Sequence, residues 1–364
     1  MDVKGPHART GVRYGPPVAL KVGIGLFTEQ VPSGSDRTFG REYAETLELV
    51  RLAESVGFHS AWVSEHHGSS DGYLPSLLPM LAAFAAATDR IELGTGVVLA
   101  PFHDPLRLAE DAAVVDQLSD GRLILGLGIG WREEEFRMFG VPVRERAVRV
   151  EELVEVCRRA WTGERFSFEG RIFRYDRVKV TPPARRGEIP IFLGGYDPRA
   201  IRRAGRIADG YITDASPVDE VAEALEHLDA AAREAGRDGS AIALALMQNA
   251  WVGDEGSLAV ARRGIAHQLG AYDAWAEGHD TPEHDSLEPP PLSDEGLAGS
   301  TISGSPSDVA VRLRALLAPF RHRELHLIAR LHYPGMDLET AAAAVEAFGR
   351  EVIPAIVEGS DTAG

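Results

Sequence analysis

A chain of 364 residues with 38 basic and 55 acidic side chains is long enough for one large α/β domain, where barrels of roughly 250 residues with insertions are ordinary. The net charge of -17 argues against a nucleic-acid or anionic-membrane surface and leaves room only for a localised basic pocket. The one cysteine, Cys157, cannot form an internal disulfide. Its place in the helical pattern EELVEVCRRAW reads as core filler, and a reducing cytoplasm is the expected compartment. Nowhere does an apolar run reach the about eighteen residues of a spanning helix, and segment 1–17 has no stretch of signal-peptide length.

Taken in chain order, short β-branched runs alternate with longer helical patterns, the signature of βα units around a parallel sheet. Eight such strands are predicted, at 18–27, 59–65, 91–99, 122–128, 190–195, 210–215, 241–253 and 324–331. Between them, REYAETLELVRLAESVG, PSLLPMLAAFAAATD, LRLAEDAAVVDQLSD and RAIRRAGRIA carry apolar residues three and four apart, as amphipathic helices do. Eight units predict a closed (β/α)8 TIM barrel occupying 18–355, with 1–17 as an extension and 356–364 as a tail. FSFEGRIFRYDRVKV (166–180) alternates like a strand pair and is assigned to an insertion spanning 163–188. The Pro-rich, acidic stretch 278–308 is predicted to be a long irregular loop after the seventh strand. Two readings stand for it, a cover over the barrel mouth and a surface loop.

In such barrels chemistry sits at the carboxyl ends of the strands. AWVSEHHG (61–68) places Glu65, His66 and His67 at one such end. A buried carboxylate can orient an imidazole that titrates near neutrality, so acid/base work is available. The three residues could equally cap the strand. A metal is not expected, because neither HExxH nor CxxC occurs. In LGLGIGW (125–131) the glycines are Gly126, Gly128 and Gly130, and Trp131 stands where GxGxxG needs glycine, so a Rossmann nucleotide loop is not indicated. These glycines, and Gly194 and Gly195 in FLGGYDPRA (192–200), permit either a structural turn or the close approach of a flat ring or phosphate.

Together, WVSEHHG (62–68), the stretch 91–131, EEFRMFGV (134–141), PIFLGG through ADGYI (190–212) and GMDLETAAAAVEAFGREVIP (335–354) make the chain resemble the bacterial luciferase-like flavin-dependent oxidoreductases. The resemblance covers most of 18–355. It implies a barrel holding reduced FMN or the deazaflavin F420 without covalent attachment. It implies that His66 is the catalytic histidine with Glu65 beside it, and that His67 lines the site. Gly96 and Val97 match a pair joined by a non-prolyl cis peptide under the flavin ring. Gly128 belongs to the fourth-strand loop, Gly194, Gly195 and Tyr196 match backbone beside the flavin and its phosphate, and Thr213 falls near a flavin edge.

In one place the chain departs from the luciferases. Where they carry a phosphate arginine, Ile129 stands here, so Arg146, Arg199 or main-chain amides must replace that bidentate clamp, or the cofactor is F420. The resemblance favours a monooxygenase that takes reduced FMN from a separate flavin reductase and uses O2 to oxygenate a small organic substrate. The alternatives are an F420-dependent oxidoreductase transferring hydride and a non-catalytic flavin-binding protein. Arg330, His332 and Tyr333, at the end of the eighth strand, are the expected substrate contacts. A homodimer is expected, with the apolar helix at 75–89 as a candidate face.

Overall fold

A computed structural model describes residues 20–215, 217–278 and 301–358. Eight strands form the ring: β1 (Leu20–Phe27), β2 (Ser60–Val63), β3 (Glu92–Thr95), β4 (Leu123–Gly128), β5 (Ile191–Gly194), β6 (Gly210–Asp214), β7 (Ala243–Val252) and β8 (Leu325–Arg330). Each pairs in parallel with the next, and β8 returns to β1 with Ile24 opposite Ala329, which closes the barrel. Both faces of every strand are covered, which is why the strands read as nearly continuous apolar runs rather than as alternating patterns. The extension 1–17 and most of the tail 356–364 lie outside the described residues, as does 279–300 of the predicted loop.

The hydrophobic core has two layers. The larger lies between the strands and the surrounding helices. The smaller fills the barrel and contains Leu26, Trp62, Ile124, Phe192, Ile212, Ala243, Ala245 and Ile328. Trp62, fully buried, fits only because its neighbours lack side chains. A Cβ at Gly94 would lie 2.2 Å from the indole, and one at Gly25 2.9 Å from its Cβ. Phe192 is accommodated in the same way, since a Cβ at Gly210 would come within 2.4 Å of its ring. Large residues opposite glycines make this interior a packed core rather than a pore, so a ligand can enter only at the mouth.

Several predicted elements are redrawn. The strand expected at 91–99 is broken: β3 ends at Thr95, the Gly96–Val97 peptide is cis, and Val98–Leu99 then pairs with Leu127 and Gly128 of β4. A second non-prolyl cis peptide joins Gly25 to Leu26. The alternating stretch at 166–180 is an antiparallel hairpin, Phe166–Glu169 with Arg174–Val178. Within the stretch predicted to be irregular, Thr301–Gly304 is a strand that pairs with the upper end of β7, and the helix Pro306–Leu317 begins directly after it. The helix Leu77–Ala87, singled out for a dimer face, buries Leu77, Leu78, Met80, Leu81, Phe84 and Ala85, so its apolar sequence is largely accounted for by the core.

Gly94→Ala should force the added methyl into Trp62 and destabilise the fold by about 1–3 kcal/mol, the range for overpacked cores. Thermal and denaturant melts against the parent chain measure it, and an unchanged midpoint would show that Trp62 does not fill the barrel as described.

Candidate functional site

The carboxyl end of β2 runs straight into Ser64, Glu65, His66 and His67, of which Glu65 is 2 % exposed and His66 5 %. The expected pairing of Glu65 with His66 is not what forms. His66 Nδ1 lies 2.9 Å from Oε1 of Glu135, a fully buried carboxylate on the short helix Glu133–Met138. The same oxygen accepts the backbone N–H of His67 at 2.9 Å. Glu65 instead reaches His67 Nε2 at 2.8 Å, with His103 Nε2 at 3.6 Å. Burial pushes the Glu65 carboxyl up, but the bonds from His103 and His67 outweigh it and hold the group below the ordinary value. Two carboxylate–histidine pairs are therefore interleaved at one strand end. With Nδ1 engaged by Glu135, Nε2 is the His66 nitrogen left to exchange a proton with a reacting group.

Aromatic rings enclose His66. Tyr73 and Trp275 lie 4.9 Å from it, Tyr272 5.5 Å and Trp131 6.2 Å, centroid to centroid. Tyr272 and Trp275 come from the helix Glu255–Ala276 that follows β7. The Tyr73 and Tyr272 hydroxyls meet at 3.0 Å. Arg132 ties the wall to the strand end: one guanidinium nitrogen donates to the His67 carbonyl at 2.7 Å, and the group lies 4.6 Å from the Trp275 ring centre. His67 packs on Phe139 at 4.6 Å.

Beside this cluster the predicted cofactor residues come together. A Cβ on Gly128 would lie 2.4 Å from Val97 Cγ2, and one on Gly194 3.2 Å from Val97 Cγ1, while one on Gly96 would lie 2.7 Å from Leu26. Val97, half-buried, thus forms a floor bordered by glycine backbone, a shape that admits a flat ring. Gly195 has a φ of 150° and its carbonyl accepts the Tyr211 hydroxyl at 2.8 Å. Thr213 is buried on β6. Tyr196 is exposed and donates to Asp214 at 2.8 Å. Arg146, at the start of the helix Arg146–Trp161, reaches the carbonyl of Gly130 at 3.2 Å, beside the loop where the missing arginine would stand. Ile129 packs against the outer hydrophobic layer.

The three expected substrate residues separate. Arg330 faces the mouth and donates to Oε1 of Gln268. Tyr333 is fully buried, donating to the Arg330 carbonyl at 2.6 Å with its ring 6.5 Å from Trp251. His332 turns into a buried network behind the β1 and β8 ends, its Nε2 3.5 Å from Glu42, which pairs with Arg37 at 2.6 Å. Burial and then Arg37 lower the His332 pKa to about 4, so it is neutral at pH 7. In the same network burial, then Glu42, raises the Glu29 carboxyl to about 8. Sequence reasoning missed Glu135, although EEFRMFGV was in view, because nothing in the spacing joins 135 to 66. It also missed Tyr73, which lies in the loop after β2, and Gln268, Tyr272 and Trp275, whose only signal is a shared face of the helix Glu255–Ala276.

With this geometry in hand, comparison with known proteins is informative. The luciferase-like monooxygenase family model matches residues 20–321. The chain belongs to the luciferase-like monooxygenase family. Its members are oxidoreductases, and the (β/α)8 barrel is shared with them. The oxygenase component of a flavin-dependent trigonelline monooxygenase from Acinetobacter baylyi is 26 % identical over 352 residues, covering 92 % of this chain and 95 % of that protein. An F420-dependent glucose-6-phosphate dehydrogenase from Nakamurella multipartita is 36 % identical over 177 residues, which is 47 % of this chain and only 52 % of that enzyme. A monooxygenase crystal structure from Streptomyces bottropensis superposes with a TM-score of 0.78 at 27 % identity, covering 92 % of this chain and 99 % of that one. Among the described residues of this luciferase-like chain, no helix is long and apolar enough to cross a membrane.

The raised Glu29 carboxyl carries a pH signature. A carboxyl whose folded value is about 8 against an ordinary 4.5 stays protonated while the unfolded chain ionises, so its contribution is fully present below pH 4.5 and is lost as pH rises through 8. Glu29→Gln, which keeps the acceptor for the Thr46 hydroxyl 3.1 Å away, should match the parent near pH 4.5 and exceed it above pH 8 by on the order of a few kcal/mol. Denaturant melts across that range test it, and parallel curves would refute it.

Proposed function

We propose that the protein is the oxygenating component of a two-component system, accepting reduced FMN from a separate reductase and using O2 to oxygenate a small organic substrate. The observation that carries this reading is the buried Glu135–His66 pair beside the Val97, Gly128 and Gly194 floor, because it sets a proton-exchanging imidazole next to a surface that fits a planar ring. Bound reduced FMN would supply the electrons that activate O2. Val97 and the glycine backbone would hold its ring, and Arg146 with the Gly195 and Tyr196 backbone its phosphate.

The chain's own contribution follows from the geometry. Glu135, without solvent contact, holds His66 through Nδ1 and leaves Nε2 to donate or accept a proton. Tyr73, Tyr272, Trp275 and Trp131 keep water from that nitrogen, which strengthens every electrostatic interaction around it. Glu65 holds His67 in place and supports the strand end from the other side. His66 is thus the proposed catalytic residue and Glu135 its positioning residue. In support, the two relatives above 25 % identity that align over nearly the whole chain are monooxygenases, although F420-dependent enzymes share the fold over the same length at 20–23 % identity. A second reading, hydride transfer with F420, is favoured by Ile129 standing where the luciferases carry a phosphate arginine.

Titrating the chain anaerobically with reduced FMN and with F420 separates the two. Reduced FMN should bind about tenfold or more tightly, a difference of about 1.4 kcal/mol, and O2 uptake should appear on adding a flavin reductase. Tight F420 binding without O2 uptake would reverse the assignment. His66→Ala should lower substrate-dependent turnover by about 10² to 10⁴, the range for a lost general acid or base, with little change in flavin affinity. Glu135→Gln should lower it less, since shape survives and charge does not. Normal turnover in His66→Ala would return AWVSEHHG to a structural strand end.

A further inference from the structure

The mouth of the barrel holds a second group of polar side chains that the acid/base pair does not use. Met247 on β7 and Ile328 on β8 belong to the barrel interior and are register partners. Two residues further along each strand, Asn249 and Arg330 are again partners, so by strand alternation both stand on the interior side, at the level of the mouth. Arg330 donates through Nη2 to Oε1 of Gln268. That bond uses the Gln268 amide oxygen and leaves its N–H2 as the group still to be satisfied. Gln268 is 3 % exposed, yet its Nε2 has no hydrogen-bond partner, and neither has the shielded Nε of Arg330 or Oδ1 of Asn249. Among the described residues no carboxylate pairs with Arg330. Two buried donors, one of them on a guanidinium, are thus left together without an acceptor.

We propose that Arg330 and Gln268 form a carboxylate-binding subsite, so that the substrate of the reaction proposed above, on which this inference rests, is a small organic acid with a planar apolar body. Arg330 is half-buried with its Nε left without an acceptor, and a guanidinium is the side chain best matched to a carboxylate. A neighbouring amide N–H supplies the next donor. The position supports the class of substrate. Gln268, Tyr272 and Trp275 are spaced i, i+4 and i+7 and share one face of the helix Glu255–Ala276. A carboxylate on Gln268 and Arg330 therefore sets the attached body against the Tyr272 and Trp275 rings, the same rings that lie 5.5 and 4.9 Å from His66. Asn249, with its free Oδ1, is left to accept from a hydroxyl or amino group on that body.

The test is calorimetric titration of the full chain with benzoate and with benzamide, which share a ring and differ in charge. Benzoate should bind about tenfold or more tightly than benzamide. Arg330→Met and Gln268→Leu should each remove most of that preference without weakening benzamide, and Arg330→Lys, which keeps the charge and loses the fork, should keep part of it. The flavin affinity of all three should stay within about twofold of the parent, and melts of each establish that it is folded. Equal binding of the two probes, no benzoate binding, or a folded Arg330→Met that retains the preference overturns the subsite. So does a variant that loses flavin rather than benzoate, which would assign these donors to the cofactor. A chain that discriminates benzoate from benzamide but binds neither flavin would overturn the oxygenase reading while leaving the subsite standing.

Discussion

Glu135 is a carboxylate with no solvent contact whose single oxygen Oε1 accepts from both the His66 ring and the His67 backbone. A bare charge in that position would be strongly disfavoured, so the two donors from the β2 end are what make it tolerable. In return the carboxylate pins the end of β2 to the helix after β4, across the whole of β3. The pairing of Glu65 with His67, the Arg132 bond to the His67 carbonyl and the ring wall over His66 are all built around that link. Its second oxygen, Oε2, is buried without a partner. A buried carboxylate oxygen left without a partner beside a histidine invites an explanation beyond stability.

The rest of the barrel is closed by packing. Trp62 and Phe192 fill the interior against Gly94, Gly25 and Gly210, so no channel runs through, and Glu135, Asn249, Gln268 and Arg330, each with a buried polar atom lacking a partner, lie toward the carboxyl ends of the strands, while Glu92, Arg323 and His326 carry such atoms at the opposite end. The helix Glu255–Ala276 completes the site from above. It brings Gln268 to Arg330 and Tyr272 and Trp275 to His66, so one helix joins the proposed substrate subsite to the proposed proton-exchanging histidine. His332 and Tyr333, by contrast, serve the packing behind β1, β7 and β8, although they stand only two and three residues beyond Arg330. β8 ends at Arg330, so strand alternation no longer sets where the residues beyond it point.

Periodicity and composition in the sequence were enough for the eight-stranded parallel barrel, the hairpin at 166–180 and the placing of Glu65, His66 and His67 at a strand end, because these follow from local apolar runs and from the geometry every such barrel shares. Family likeness added the cis peptide between Gly96 and Val97 and the grouping of Val97, Gly128 and Gly194, which no spacing rule joins. Local pattern failed where its signal was mixed. Thr301–Gly304 carries two polar residues and a glycine in four, and pairs only with the upper end of β7, so it looked like loop.

By itself, then, the sequence determined the eight ring strands in outline, that they close, and that Glu65, His66 and His67 stand at the mouth, since hydrophobic period and strand order are properties of the chain read locally. Only the tertiary structure decided which carboxylate serves which histidine. Glu135 is 69 residues from His66 along the chain, Gln268 is 62 from Arg330, and Tyr272 is 199 from Tyr73. Such pairings are set by how βα units are laid side by side around the ring, and a hydrogen bond of about 3 Å depends on that placement to within a fraction of an ångström. A linear sequence carries no direct record of distances of that kind.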